Sequence, residues 1–249
     1  MKQDPKQTAV IVGGRSDIGL ALARRLARAG HPIVLAARRA GELAEDAADI
    51  ALRHGVDVRT QELDVLKPEG YAAFLERLPA DTGIVACVVG LLPDQQAVEG
   101  NPQAAQQVVD TNFTGPLLLL ELAARRLAAS GAAQPAVIGI GSVAGDRGRA
   151  RNYWYGAAKA AFAAGLSGLR QRHARTPLLV MTVKPGFVRT RMTAGMDLPP
   201  ALTDTPEQLA ELIHRALRRR RMVVVPWKWR LVMAVIRLIP ERVFSRMTF

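Results

Sequence analysis

The chain has 249 residues, 49% of them hydrophobic but only 5% aromatic and 22% charged, and its 34 Lys and Arg against 22 Asp and Glu leave a net charge of +12 at pH 7. Such a composition can bury a sizeable Ala/Leu/Val core and excludes wholesale disorder, and the length fits one large α/β domain or two small ones. One cysteine, Cys87, excludes an internal disulfide framework and a thiolate metal cluster, so no metal and a reducing compartment are expected.

From the N-terminus, Met1-Lys2-Gln3-Asp4-Pro5-Lys6 runs into a Val/Ile stretch without the apolar core of a secretory signal. No apolar run approaches the ~20 residues that span a bilayer, which makes the cytoplasmic side the expected location. Short Val/Ile-rich runs then alternate with Ala/Leu/Arg-rich helical stretches, the pattern of βαβ units around a buried parallel sheet. Strands are predicted at 8–12, 33–36, 56–62, 84–89, 136–140, 179–183 and 222–225, and helices at 17–29, 40–54, 68–78, 102–130, 155–173 and 206–220. Seven strands suit a doubly wound sheet, and no linker or repeat divides the chain. A single domain over 1–226 is therefore expected, followed by a basic extension over 227–249.

Directly after the first strand comes Gly13-Gly14-Arg15-Ser16-Asp17-Ile18-Gly19. Glycine lets backbone approach a pyrophosphate, and the helix N-terminus beyond it offers free N–H groups and a positive dipole end. A tight turn with no ligand would satisfy the same pattern. Asp17 stands where glycine is commonest in such loops and suits a helix cap. The second strand ends in Ala37-Arg38-Arg39. A ribose 2′-hydroxyl calls for a carboxylate at this point, a 2′-phosphate for a guanidinium, so Arg38 favours NADPH over NAD. Asp64, ending the third strand ahead of Val65, fits either an adenine amino contact or a loop cap.

Chemistry candidates lie in the second half. Tyr155 and Lys159 share a helix face at i, i+4, and a neighbouring cation favours the phenolate, lowering the tyrosine pKa. Ser142, just after a strand, can polarise a substrate carbonyl. Asn112, on the predicted long helix, can hold a water behind the lysine. Each has a plain alternative as turn former, helix-kink satisfier or surface pair.

The ordered set resembles the short-chain dehydrogenase/reductase family over its length: Gly13 to Gly19, Asp64, Asn112, Ser142, Tyr155/Lys159 and Pro185-Gly186-Phe187-Val188-Arg189-Thr190. The resemblance implies a three-layer Rossmann-type α/β fold with a doubly wound, seven-stranded parallel sheet. It further implies Tyr155 as general acid/base, Ser142 as carbonyl orienter, Lys159 binding the nicotinamide ribose and tuning Tyr155, and Asn112 completing a proton relay. Cofactor contacts follow at Gly13, Arg15, Ser16, Asp17, Ile18, Gly19, Arg38, Asp64, Val65, Gly90, Tyr155, Lys159, Pro185, Gly186, Val188 and Thr190. Two departures stand out: Asp17 for the middle glycine, and Cys87-Val88-Val89-Gly90 where Asn-Asn-Ala-Gly is usual.

The acidic loop, Gly90-Leu91-Leu92, Arg189-Thr190-Arg191-Met192 and the tail from Val232 to Phe244 are similar, more narrowly, to decaprenylphosphoryl-2-keto-pentose reductases. This similarity implies reduction of a furanose 2-ketone on a polyprenyl-phosphate carrier, with an FAD-dependent oxidase as partner, and family members commonly form homo-oligomers. The tail adds a physical argument. A helix over 227–239 places Arg230 and Arg237 on one stripe and Trp227, Leu231, Ala234 and Leu238 on another, an amphipathic cationic segment able to lie in a membrane interface. Packing on a second subunit or over the substrate cleft is the alternative. Arg218 to Arg221 would add attraction to anionic lipid, and Arg147, Arg149 and Arg151 are positioned in sequence to meet a substrate phosphate. Nucleic acid is not expected as a partner, since no aromatics interleave with the basic residues. An NADP-dependent reductase of a soluble apolar ketone and a non-catalytic NADP-binding sensor or scaffold remain the competing readings.

Overall fold

Strands whose every side chain is buried belong in the middle of a sheet covered on both faces, and the sheet order follows that rule. In the computed structural model residues 6–247 are described; 1–5, the segment read above as signal-free, and 248–249, the end of the extension, lie outside the described residues. In chain order the elements are β1 (Thr8–Val12), α1 (Asp17–Ala27), β2 (Ile33–Ala37), α2 (Ala44–His54), β3 (Val58–Glu62), α3 (Tyr71–Glu76), β4 (Thr82–Cys87), α4 (Gln95–Val98), α5 (Pro102–Val109) and α6 (Gly115–Ala129). There follow β5 (Ala136–Ile140), α7 (Tyr153–Arg172), β6 (Leu179–Val183), β7 (Phe187–Val188), β8 (Thr203–Asp204), α8 (Pro206–Arg218), β9 (Val223–Val224), α9 (Trp227–Leu238) and α10 (Glu241–Phe244).

The main sheet has seven parallel strands in the order β3-β2-β1-β4-β5-β6-β9. Strands β1, β2, β4, β5 and β6 are buried throughout, whereas β3, with Arg59 and Glu62 exposed, lies at an edge, where polar side chains can reach water. Alternate residues feed two cores. Ala9, Ile11, Ile33, Leu35, Ile84 and Ile138 meet α1, α2 and α8 on one face. Val10, Val12, Val34, Val85, Val137 and Val180 meet α3, α6 and α7 on the other. The strand order reverses between β1 and β4, and the crevice beyond the carboxyl ends there is where such sheets bind ligands.

Several boundaries differ from the sequence reading, each for a local reason. β4 stops at Cys87, so Val88-Val89-Gly90 leaves the sheet and enters the crevice. The predicted long helix over 102–130 is interrupted by a π-helical turn, Asp110–Thr114. Pro116 has no N–H to give the Asn112 carbonyl, and within the turn the Asn112 side-chain Nδ2 donates to Val108 O at 2.9 Å. α7 begins two residues early, which puts Tyr155 inside its first turn. α4 and the small parallel pair β7–β8 carry too little periodicity to be read in advance.

α9 and α10 fold back over the segment after Ser142. The inward stripe is Trp229 and Met233, packed with Val143, Phe187, Leu202, Val232 and Ile236. The stripe of Trp227, Leu231, Ala234 and Leu238 marked in the sequence is a second apolar one and faces outward, with Trp227 67%, Leu231 62% and Leu238 83% exposed. No described helix is long and apolar enough to cross a membrane.

Candidate active site

The crevice at the reversal point is a cleft of about 400 Å³, within the range of small-molecule sites. One end is made by the first βα turn. Gly13 adopts φ +89°, which only glycine takes freely, and a Cβ on Gly19 would lie 2.5 Å from the Gly13 carbonyl oxygen. The two glycines therefore let the turn pack closely on itself and on Val88 and Val89, and Ser16, Asp17 and Ile18 present the positive helix end to the cleft. The cap itself corrects the sequence reading. Ser16, not Asp17, caps α1 by accepting from Gly19 N at 2.9 Å. The Asp17 carboxylate instead accepts from Arg191 N at 2.7 Å and Arg191 Nε at 2.9 Å, and the Arg191 guanidinium also reaches the Arg15 carbonyl. Asp17 thus ties the glycine turn to the loop after β7.

Arg38 lies exposed past the end of β2, with no ion pair among the described residues, while Arg15 and Arg39 both pair with Glu42. Asp64 accepts from Leu66 N at 3.0 Å, the loop-cap alternative, which occupies one carboxylate oxygen and leaves the other. Val65 is buried in the second core and its carbonyl accepts from Tyr71 Oη at 2.6 Å.

At the other end Ser142, Tyr155 and Lys159 come together in one wall with Gly90, Pro185, Gly186, Val188 and Thr190. β5 delivers Ser142 and α7 delivers the other two. The Ser142 Oγ accepts from Ala144 N at 3.1 Å, which fixes the oxygen and leaves its hydrogen to be donated. Lys159 is buried and donates to Ile140 O at 3.1 Å, with its Nζ 5.7 Å from the Tyr155 ring centroid. Asn112 is fully buried, and its side chain brackets Leu91, donating to Leu91 O at 2.8 Å and accepting from Leu91 N at 3.1 Å. Gly90 sits between Asn112 and Lys159: a Cβ there would lie 3.3 Å from Asn112 Oδ1 and 3.5 Å from Lys159 Nζ.

The electrostatics depart from the sequence expectation. Burial pushes the Tyr155 phenol up to about 12, against a smaller downward pull from the Ser142 hydroxyl. The same burial brings Lys159 down to about 8, partly opposed by Cys87, whose thiol burial raises to about 11. A lowered tyrosine pKa is thus not what this pocket produces, because desolvation of the phenolate outweighs the Ser142 hydrogen bond. A phenol near 12 holds its proton at neutral pH and is a donor, not a base.

Of the remaining walls, the sequence marked Arg149, as a residue to meet a substrate phosphate. Leu92, Val143, Phe187, Met192, Met196 and Trp229 supply an apolar lining, and Arg149 and Asn152 a polar one. Trp229 donates from Nε1 to Leu202 O at 2.8 Å, meets Phe187 edge-on at 5.1 Å, and occupies the space a Cβ on Gly186 would need. Only the surplus of tryptophan in the tail hinted at such a contact.

The profile of the short chain dehydrogenase family matches residues 7–199. The chain therefore belongs to the short-chain dehydrogenase/reductase family of oxidoreductases. It is 38% identical over 242 residues to an uncharacterized oxidoreductase of Mycobacterium tuberculosis, covering 96% of each chain. To an uncharacterized oxidoreductase of Streptomyces coelicolor it is 36% identical, covering 98% of this chain and 96% of that one. Among solved structures it is similar to a short-chain dehydrogenase from Sphingobium yanoikuyae in complex with NADPH, at 27% identity, TM-score 0.80 and coverage of 97% and 96%.

Proposed function

We propose that this protein is an NADPH-dependent ketoreductase. The observation that carries the reading is a single cleft lined by the N-terminus of α1, at Ser16, Asp17 and Ile18, together with Ser142, Tyr155 and Lys159. The turn fits a pyrophosphate, because Gly13 and Gly19 let its backbone close tightly without side chains and the N-terminus of α1 faces the cleft. Arg38, unpaired among the described residues and with no carboxylate at its position, suits a 2′-phosphate, and the Sphingobium relative that binds NADPH supports the same choice. When bound, the nicotinamide supplies a hydride to the substrate's carbonyl carbon. Ser142 donates a hydrogen bond to the carbonyl oxygen, Tyr155 gives that oxygen its proton, and Lys159 holds positive charge against the phenolate left behind. Asn112, through its bracket on Leu91 beside Gly90, positions the strand exit against which Lys159 rests.

The substrate class we infer is the 2-keto-pentose of a polyprenylphosphoryl sugar, made by an FAD-dependent oxidase. The apolar cleft wall suits an isoprenoid chain, and the outward stripe of α9, with exposed Arg230 beside it and Arg242 and Arg246 beyond, suits an anionic membrane surface on the cytoplasmic side. Each basic residue near such a surface adds about 1 kcal/mol. The test is NADPH oxidation on adding a polyprenylphosphoryl 2-keto-pentose, with and without anionic vesicles. Tyr155→Phe should bind NADPH normally and turn over about 10²–10⁴-fold more slowly. Turnover of a small soluble ketone but not of the lipid-linked one refutes the substrate assignment, and unchanged turnover in Tyr155→Phe refutes the mechanism.

A further inference from the structure

Three arginines, 147, 149 and 151, separate Ser142 from the start of α7, and their surroundings differ sharply. Arg147 is engaged by the C-terminal helices: Nη1 donates to Ile236 O at 2.7 Å and Ile239 O at 2.6 Å, Nη2 to Glu241 at 2.7 Å, and the guanidinium lies 3.9 Å over the Phe244 ring. Arg151 is exposed and outside the cleft lining. Arg149 lines the cleft, and its Nε is buried without a hydrogen-bond partner among the described residues.

A half-buried guanidinium with a buried N–H left unpaired is costly unless a ligand supplies an acceptor or the opposite charge. The nearest candidate, Asp146, already holds Lys184 at 2.7 Å and Arg237 at 2.8 Å. Desolvation consequently holds the Arg149 guanidinium below its ordinary pKa, with Asp146 only partly opposing it. Asn152, three residues before Tyr155, lines the same wall, and its Oδ1 is likewise buried and unpartnered. The wall beside the reacting groups therefore offers one cationic donor fork and one neutral acceptor, facing an apolar wall of Leu92, Met192, Met196 and Trp229.

We propose that Arg149 pairs with a phosphate ester carried by the substrate, while Asn152 accepts from a hydroxyl of the same molecule and the apolar wall takes its chain. This deepens, and rests on, the reductase reading of the cleft. The phosphate of a glycosyl phosphate lies only a few bonds from a 2-ketone, so one residue in the Ser142–Tyr155 connection can read the anion while Ser142 and Tyr155 hold the carbonyl. A guanidinium suits the task because its fork bonds two phosphate oxygens at once.

The test uses the NADP-saturated protein and non-reducible probes: farnesyl phosphate, farnesol and inorganic phosphate, with tryptophan fluorescence as readout, since Trp229 lines the cleft. Wild type should prefer farnesyl phosphate to farnesol by about tenfold or more, and inorganic phosphate should bind far more weakly than the ester. Arg149→Gln should erase the preference while leaving farnesol binding, NADPH binding and thermal stability near wild type, and Arg151→Gln should change nothing. If Arg149→Gln does not fold, Arg149→Lys reads the same effect as a reduced preference with unaltered farnesol affinity. A preference retained in the Arg149 variants overturns the assignment, as does equal affinity for inorganic phosphate. A wild type that binds the ester through Arg149 yet reduces no ketone overturns the reductase reading alone.

Discussion

Replacing Trp229 by Ala probes whether the C-terminal helices are structural parts of the cleft. The indole is 4% exposed and fills a small cluster with Val143 and Met233 that is separate from the two cores flanking the sheet. Truncating a buried tryptophan to alanine costs about 3–5 kcal/mol, and the Leu202 carbonyl loses its donor, worth about 1 kcal/mol more. Because the cluster is separate from the cores, the loss falls on docking of α9 and not on global unfolding. At 1.4 kcal/mol per tenfold, amide exchange within Trp227–Leu238 should quicken by about three to four orders of magnitude, or to the full rate of the undocked helix. The midpoint of global thermal unfolding should move by less than about 5 °C, although the same energy spent globally would shift a domain of this size by roughly 8 °C or more. The ketone KM should rise, since Gly186 and Phe187 lose their backing, while NADPH affinity holds. Hydrogen exchange by mass spectrometry reads the helix and scanning calorimetry the global transition, with Trp227→Ala, at an exposed position, as the neutral control. A fall of ten degrees or more with α9 protection intact would refute the reasoning, since Trp229 would then belong to the main core.

Arg38→Ala should raise the NADPH KM by about 10–100-fold and leave the NADH KM unchanged, because only the 2′-phosphate contact is lost; equal effects on both cofactors would remove Arg38 from that role. The Lys159 pKa near 8 sets a pH limb. Below it the ammonium is charged and supports the phenolate; as pH rises through about 8 the charge is lost, so reductive kcat/KM should fall above that value, while the Tyr155 phenol keeps its proton until about 12. Lys159→Arg, whose guanidinium stays charged, should abolish the limb even if the rate drops, and a limb that persists belongs to another group. Asp17→Gly removes the tie to Arg191. An exposed ion pair contributes at most about 1 kcal/mol, so equilibrium NADPH binding should change by less than about fivefold while stopped-flow dissociation becomes faster; no change in dissociation would mean that the tie does not restrain the loop.

Strand count, parallel pairing and helix type were legible because each rests on local regularities: five-residue apolar runs can only be central strands, and glycines 13 and 19 mark a strand-to-helix turn. The break in the helix at 110–114 was missed, because the periodicity on either side masked the signal in Pro116. The order of Ser142, Tyr155 and Lys159 along the chain announced a constellation without fixing its electrostatics. Whether Tyr155 sits low or high depends on how much solvent the folded pocket removes, and burial overrode the i, i+4 cation that spacing alone suggests.

Residue types at fixed spacings determined the glycine turn and the pairing of Tyr155 with Lys159 on one helix face, because backbone conformation and helical repeat are properties of short segments. Tertiary structure alone decided which of two apolar stripes on α9 turns inward, why Asp17 restrains a loop 174 residues away instead of capping its own helix, and which of three closely spaced arginines faces the cleft. Those outcomes depend on which distant surfaces meet. The carboxylates and carbonyls that engage Arg147 come from 89 and more residues downstream, and Arg149 is left facing the cleft because no such partner reaches it.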